Sequence, residues 1–90
     1  MNTPLVLTLL TRAYCHLCDD MRVAIAPLAA RFGASVIELD VDADAALEER
    51  YGERVPVLLL GSPLDGVELC HYTLDGAAVH RSLTEQVKGN

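Results

Sequence analysis

The chain alternates short apolar runs with amphipathic stretches, and this pattern predicts seven elements. Leu5 to Leu10 is a continuous apolar run with β-branched members, short enough for a buried strand. From Leu17 the period changes: Leu17, Met21, Ile25, Leu28 and Phe32 fall on one helical face, and Gly33 is a natural stop. Pro27 lies inside that helix and is expected to kink it, since it removes a backbone donor and crowds the preceding turn. "ASVIEL" (Ala34 to Leu39) reads as a second strand. Asp42 is then expected to cap a short helix, "ADAALEERY", with Leu47 and Tyr51 stacked and Gly52 ending it. "VPVLLL" (Val55 to Leu60) reads as a third strand, "GSPLDG" as a turn, and Val67 to Tyr72 as a fourth strand. Asp75 caps a last helix whose Val79, Leu83 and Val87 share a face. The order β-α-β-α-β-β-α fits an α/β fold, one mixed four-stranded sheet flanked by three helices.

Composition narrows the class. Ninety residues suffice for one domain, spanning 1–90, and are too few for two independent cores. With 51% hydrophobic residues a core is within reach without a disulfide framework, and three cysteines are too sparse for one. The first ten residues carry no basic leader, and no segment is long enough to span a bilayer. A cytoplasmic location is therefore expected, where thiols stay reduced unless they are in use. The net charge of −6 and the scattering of the seven basic residues argue against nucleic acid or an anionic membrane as partner. A monomer is expected.

The chemistry concentrates in "TRAYCHLCDDM" (Thr11 to Met21). A zinc site needs four ligands, and this chain offers one C-x-x-C pair with Cys70 and His71 far downstream. Adjacent residues on a strand point to opposite faces, so Cys70 and His71 would not readily converge on one ion, and no metal is expected. A buried structural pair conflicts with the polar neighbours His16, Asp19 and Asp20. A working dithiol fits the placement: Cys15 falls where the strand-to-helix loop ends, and free N–H groups at a helix start favour thiolate over thiol. Cys18, one turn later, can close a disulfide with it. His16, if protonated, would stabilise a Cys15 thiolate, while the helix start opposes that protonation. Tyr14 either covers the site or is an ordinary, partly buried tyrosine. The acidic cluster Glu38, Asp40, Asp42 and Asp44 reads as a solvated strand end and helix cap.

Together, "TRAYCHLC", "ELDVDADAALEERYGERVPVL" and "GVELCHYTLDGAAVHRSL" make the chain resemble the small bacterial glutaredoxin-like proteins of the thioredoxin-fold superfamily. The resemblance spans nearly the whole chain. It implies a thioredoxin-like fold and a thiol–disulfide oxidoreductase that reduces disulfides or glutathione mixed disulfides. Cys15 would be the nucleophile and Cys18 the resolving thiol. It also implies a cis Val55–Pro56 bond facing the dithiol, with the Val55 backbone free to pair with an extended substrate. Arg12 stands at the spacing of a lysine that holds a glutathione carboxylate in glutaredoxins, and otherwise reads as a solvated surface arginine. Asp75 with one following glycine stands where glutaredoxins carry Gly-Gly and Asp, and otherwise reads as a helix cap. C-H-L-C replaces the usual C-P-Y-C. No organic or metal cofactor is implied, and glutathione is a candidate co-substrate beside a protein thiol or disulfide. A different class stays open: a non-catalytic module that binds a protein partner or a metal cluster through Cys15. Finally, a symmetric hairpin around "GSPLDG" would set His71 opposite Pro56, at the sheet end where Cys15 emerges.

Overall fold

The computed structural model describes residues 5–89. Strand β1 (Val6–Thr11) leads into helix α1 (His16–Phe32), then strand β2 (Ser35–Asp40) and helix α2 (Ala45–Tyr51). Strands β3 (Val57–Leu60) and β4 (Val67–His71) and helix α3 (Gly76–Gly89) complete the expected order. The sheet runs β2-β1-β3-β4, with β1 parallel to β2 and antiparallel to β3, and β3 antiparallel to β4.

β1 is central and covered on both faces, as its apolar run requires. Leu7, Leu9 and Leu10 have no exposed surface. Thr8, the polar member of the run, is also buried, and its hydroxyl donates to the Gly61 carbonyl at 2.6 Å. Such pairing removes the penalty of a buried, unsatisfied hydroxyl. Alternation along the strands divides the core in two. Leu7, Leu9 and Leu58 pack with Met21, Ile25 and Ala29 of α1 and with Val79 and Leu83 of α3. Leu10, Val57 and Leu59 face the other way, onto Val41 and Tyr51.

The helices depart from the expected pattern in specific places. The buried stripe of α1 is Cys18, Met21, Ile25 and Ala29, while Leu17 is 40% exposed. At the first turn the residue buried is Cys18 rather than Leu17, while Leu28 and Phe32 of the expected face are partly buried against the same core. The helix continues unbroken through exposed Pro27, and Val23, whose carbonyl loses its partner there, is itself exposed. Gly33 ends α1 at φ 65, with its N–H returned to the Ala29 and Ala30 carbonyls. The cap of α2 is Asp44, which accepts from the N–H groups of Ala46 and Leu47; Asp42, the expected cap, is otherwise engaged. Asp75 caps α3 as expected, accepting from Ala78 N–H at 3.1 Å. Val79 and Leu83 are buried, and Val87 is exposed where α3 runs past the core.

The hairpin register is a correction. Leu60 pairs with Val67 and Leu59 with Glu68, as symmetry around the turn predicts. An irregularity between Leu58 and Leu59 then shifts the ladder by one, giving Leu58 with Cys70 and Val57 with His71. A bulge inserts one residue into one strand and exchanges the faces of the residues beyond it. Cys70 therefore lies on the α1 and α3 side, packed against that core, and His71 on the α2 side.

Leu58→Ala should cost about 2–5 kcal/mol in urea unfolding, because it empties a fully enclosed site. Leu17→Ala should cost within about 0.5 kcal/mol. A larger loss at Leu17 would return the helix stripe to the position periodicity gave it.

Candidate active site

β1 carries the chain directly into the site. Leu10 pairs with Val57, so Thr11 and Pro56 occupy the next step at the same sheet end. Four residues later Cys15 is the N-cap of α1, with extended backbone at φ −109 and ψ 108. Its sulfur accepts from the Cys18 N–H at 3.1 Å, and its carbonyl takes the Asp19 N–H at 3.2 Å. Cys15 and Cys18 are joined as a disulfide, their Cα atoms 5.2 Å apart. Cys15 is partly exposed and Cys18 fully buried. Cys15 is thus the more accessible of the two, as its place at the helix start suggested. The Val55–Pro56 bond is cis, as the resemblance implied. Pro56 is buried, Val55 half-buried and His16 exposed.

Arg12 is not a free cation. Its Nε and Nη2 donate to the two Asp42 oxygens at 3.1 and 3.0 Å, and Nη2 also reaches Glu48 at 3.1 Å. Nη1 donates to the Gly52 carbonyl at 3.3 Å. These hydrogen bonds, Asp42 first, raise its pKa further above the ordinary arginine value. Gly52 allows the close approach: a Cβ there would stand 2.6 Å from Glu48 Oε1 and 3.2 Å from Arg12 Nη2. Of the acidic cluster that read as a solvated strand end and helix cap, Asp40 and Asp44 are caps, and Asp42, with Glu48, instead clamps the segment leading to Cys15.

A second clamp sits on the other face. Arg22 of α1 donates to both oxygens of Glu38 at 2.7 Å and to Asp19 at 2.6 Å, and Thr11 donates to Glu38 at 3.1 Å. The Arg22 hydrogen bonds hold Glu38 below its ordinary value, with burial opposing and Thr11 assisting.

Two tyrosines flank the site in left-handed backbone. Tyr14 has φ 58 and a wholly exposed ring. Tyr72, which sequence reasoning missed, has φ 66. Its N–H donates to the Pro56 carbonyl at 2.9 Å and its hydroxyl to the Glu53 carbonyl at 3.1 Å. The only signal for it was an aromatic residue at the end of the expected fourth strand, which in the structure stops one residue earlier, at His71.

His71 and Cys70 take separate surroundings. His71 Nδ1 lies 2.9 Å from Glu68 Oε2, and Arg54 holds the other Glu68 oxygen at 2.9 Å. The sheet stands between His71 and α1, so the register that would have set it opposite Pro56 is not adopted. Cys70 is half-buried, and burial pushes its thiol pKa up, offset only in part by an Asp75 backbone hydrogen bond. Among the described residues, no three His, Cys, Asp or Glu side chains converge as a metal site. None of the helices described is long and apolar enough to cross a membrane.

Comparison with known proteins agrees with this geometry. Residues 6–84 match the family model described as a glutaredoxin-like domain (DUF836). An uncharacterized protein of Mycobacterium tuberculosis is 30% identical over 95 residues, covering 100% of this chain and 93% of that protein. The solution structure of a Nitrosomonas europaea protein superposes with a TM-score of 0.78 at 29% identity, covering 91% of this chain and 94% of that one. A crystal structure from X. campestris gives 0.65 at 41% identity, covering 87% and 95%. A mutant thioredoxin from Halobacterium salinarum gives 0.70 at 28% identity, covering 93% and 75%. On a thioredoxin-like fold with its cysteine pair at the first strand–helix junction, the chain belongs to the glutaredoxin-like domain family.

Proposed function

We propose that this protein is a thiol–disulfide oxidoreductase whose Cys15/Cys18 dithiol reduces disulfides or glutathione mixed disulfides. The observation that carries the reading is the Cys15 sulfur in the N-cap position, with the Cys18 N–H aimed at it from 3.1 Å. In the reduced protein that donor and the helix start favour the thiolate, the species that attacks a disulfide.

The Cys15 thiolate attacks one substrate sulfur and the other leaves as a thiolate, forming a mixed disulfide. Cys18 then loses its proton and attacks Cys15 Sγ, releasing the second substrate thiolate and closing the internal disulfide. A thiol donor, glutathione or a protein dithiol, returns the pair to the reduced form. The Val55 backbone and Pro56 shape the groove in which the substrate lies extended. His16, next to Cys15 at the start of α1, and Asp75, the cap of α3, are the further residues we assign to substrate contact.

Cys15→Ser should abolish exchange. Cys18→Ser should stop at a mixed disulfide on Cys15, visible by intact mass. Equal turnover of both variants would remove the assigned roles.

In the reduced wild type, alkylation at near-neutral pH should label Cys15 first. Cys70 should follow slowly, because its raised pKa leaves it a thiol. The midpoint against glutathione buffers should lie at roughly −200 to −230 mV. A pair that stays reduced at every accessible glutathione ratio would end the catalytic reading.

A further inference from the structure

We infer that the dithiol takes its disulfides from polypeptide segments rich in basic side chains rather than from glutathione, with exposed Tyr14 as the contact for that segment. This rests on the oxidoreductase reading above and concerns its substrate class.

The first support is the charge around Cys15. Arg12 faces two carboxylates, Asp42 and Glu48, and Arg22 faces two, Asp19 and Glu38. Each cation is therefore outnumbered in its own cluster. Asp20 is exposed just past the first turn of α1, Asp75 caps the start of α3, and Glu53 precedes Pro56 by three positions, while Arg54 beside it is paired with Glu68. Glutathione is a net anion at neutral pH and needs cationic anchors. Arg12, at the spacing where one would stand, already spends most of its donors on Asp42, Glu48 and the Gly52 carbonyl. A basic segment meets this field favourably.

The second support is the aromatic and apolar surface beside Cys15. Tyr14 precedes the nucleophile in a left-handed conformation that glycine or asparagine adopts with less strain. Its ring is wholly exposed, so no packing contact among the described residues offsets that strain. Leu17, two residues past Cys15, is 40% exposed, and Tyr72, tied to Pro56, is 45% exposed. Two aromatic rings and a leucine inside an acidic surround suit a polypeptide carrying lysine or arginine, whose cations stack on tyrosine faces.

The chemistry is the two-electron exchange already described. Two substrate sulfurs are reduced to thiols, Cys15 and Cys18 are oxidised to one disulfide, and the two thiol protons pass to the released sulfurs. A single turnover by pre-reduced protein needs no other donor.

The test is that single turnover, followed by acid quench and mass analysis of the Cys15–Cys18 disulfide. Four oxidants are compared: 2-hydroxyethyl disulfide, glutathione disulfide, and one cyclic disulfide peptide with either Lys/Arg or Glu flanks. Each rate is divided by that of dithiothreitol with the same oxidant, which removes intrinsic differences in leaving group. The basic peptide should react about tenfold or more faster than the acidic one, with glutathione disulfide among the slow oxidants. Roughly 0.5 M salt should collapse the gap. Tyr14→Gly, which keeps the left-handed backbone, should shrink the preference for the basic peptide. Asp42→Asn with Glu48→Gln, which frees Arg12, should speed the reaction with glutathione disulfide. Equal rates for the two peptides, or glutathione disulfide matching the basic one, would overturn the inference while leaving the oxidoreductase reading intact. No oxidation by any of the four, the neutral disulfide included, would overturn that reading as well.

Discussion

Helix α1 is capped by a sulfur where serine, aspartate or asparagine would ordinarily stand. The N–H of Cys18 needs an acceptor, and Cys15 Sγ is the atom placed to supply one. That single requirement fixes much of the molecule. The backbone at Cys15 must be extended, the helix must begin at His16, and β1 must deliver the chain to that point after a short loop. β1 can do so because it is the central strand, buried on both faces and paired along its length on both sides. A cap on an edge strand would move with the edge.

The two arginine clusters extend this constraint along the surface. Arg12 leaves the end of β1 toward α2, and Arg22 ties the first turns of α1 to β2 and Thr11. They hold the junction from opposite faces of the sheet. Exposed ion pairs contribute little stability individually, so their main effect is to fix where the loop lies. The closeness of Gly52 to Arg12 and Glu48 shows how tightly one of them is fitted.

Most of the fold was legible because β1, α1 and β3 have strong periodicity and unambiguous stops. The cysteine pair was legible for the same reason, as a C-x-x-C at a junction that pattern alone locates. The features that escaped depend on contacts between distant residues. Asp42 and Asp44 are equivalent helix caps in sequence, but Asp42 lies inside a short 3-10 turn, Val41–Ala43, and its side chain turns to Arg12, which leaves Asp44 to cap α2. Leu17 and Cys18 are both apolar and adjacent, so hydrophobicity does not say which of the two is turned inward, and the structure buries Cys18. The bulge in the β3–β4 ladder has no marker in "GVELCHY", yet it alone decides which face receives Cys70 and which His71. Arg12 looked like a binding residue or a solvated one and is neither free nor idle, since its partners lie 30 and 36 positions away.

The electrostatics of the site combine two effects of opposite sign and different range. The N–H of Cys18 lies at hydrogen-bond distance from the Cys15 sulfur, and the other unpaired amides of the helix start lie within the same turn. Their stabilisation of negative charge on that sulfur is local and only weakly screened. The surrounding carboxylates oppose it, but Asp19 and Glu38 are bound by Arg22, and Asp42 and Glu48 by Arg12. The remainder of their field acts through water and falls off within about 10 Å at ordinary ionic strength. On the proposed function, the local donors would govern a Cys15 thiolate, while the longer-range field would act on the partners that approach it. An acidic surround and such a thiolate are compatible because the two effects act at different distances, and salt weakens the longer-range field first.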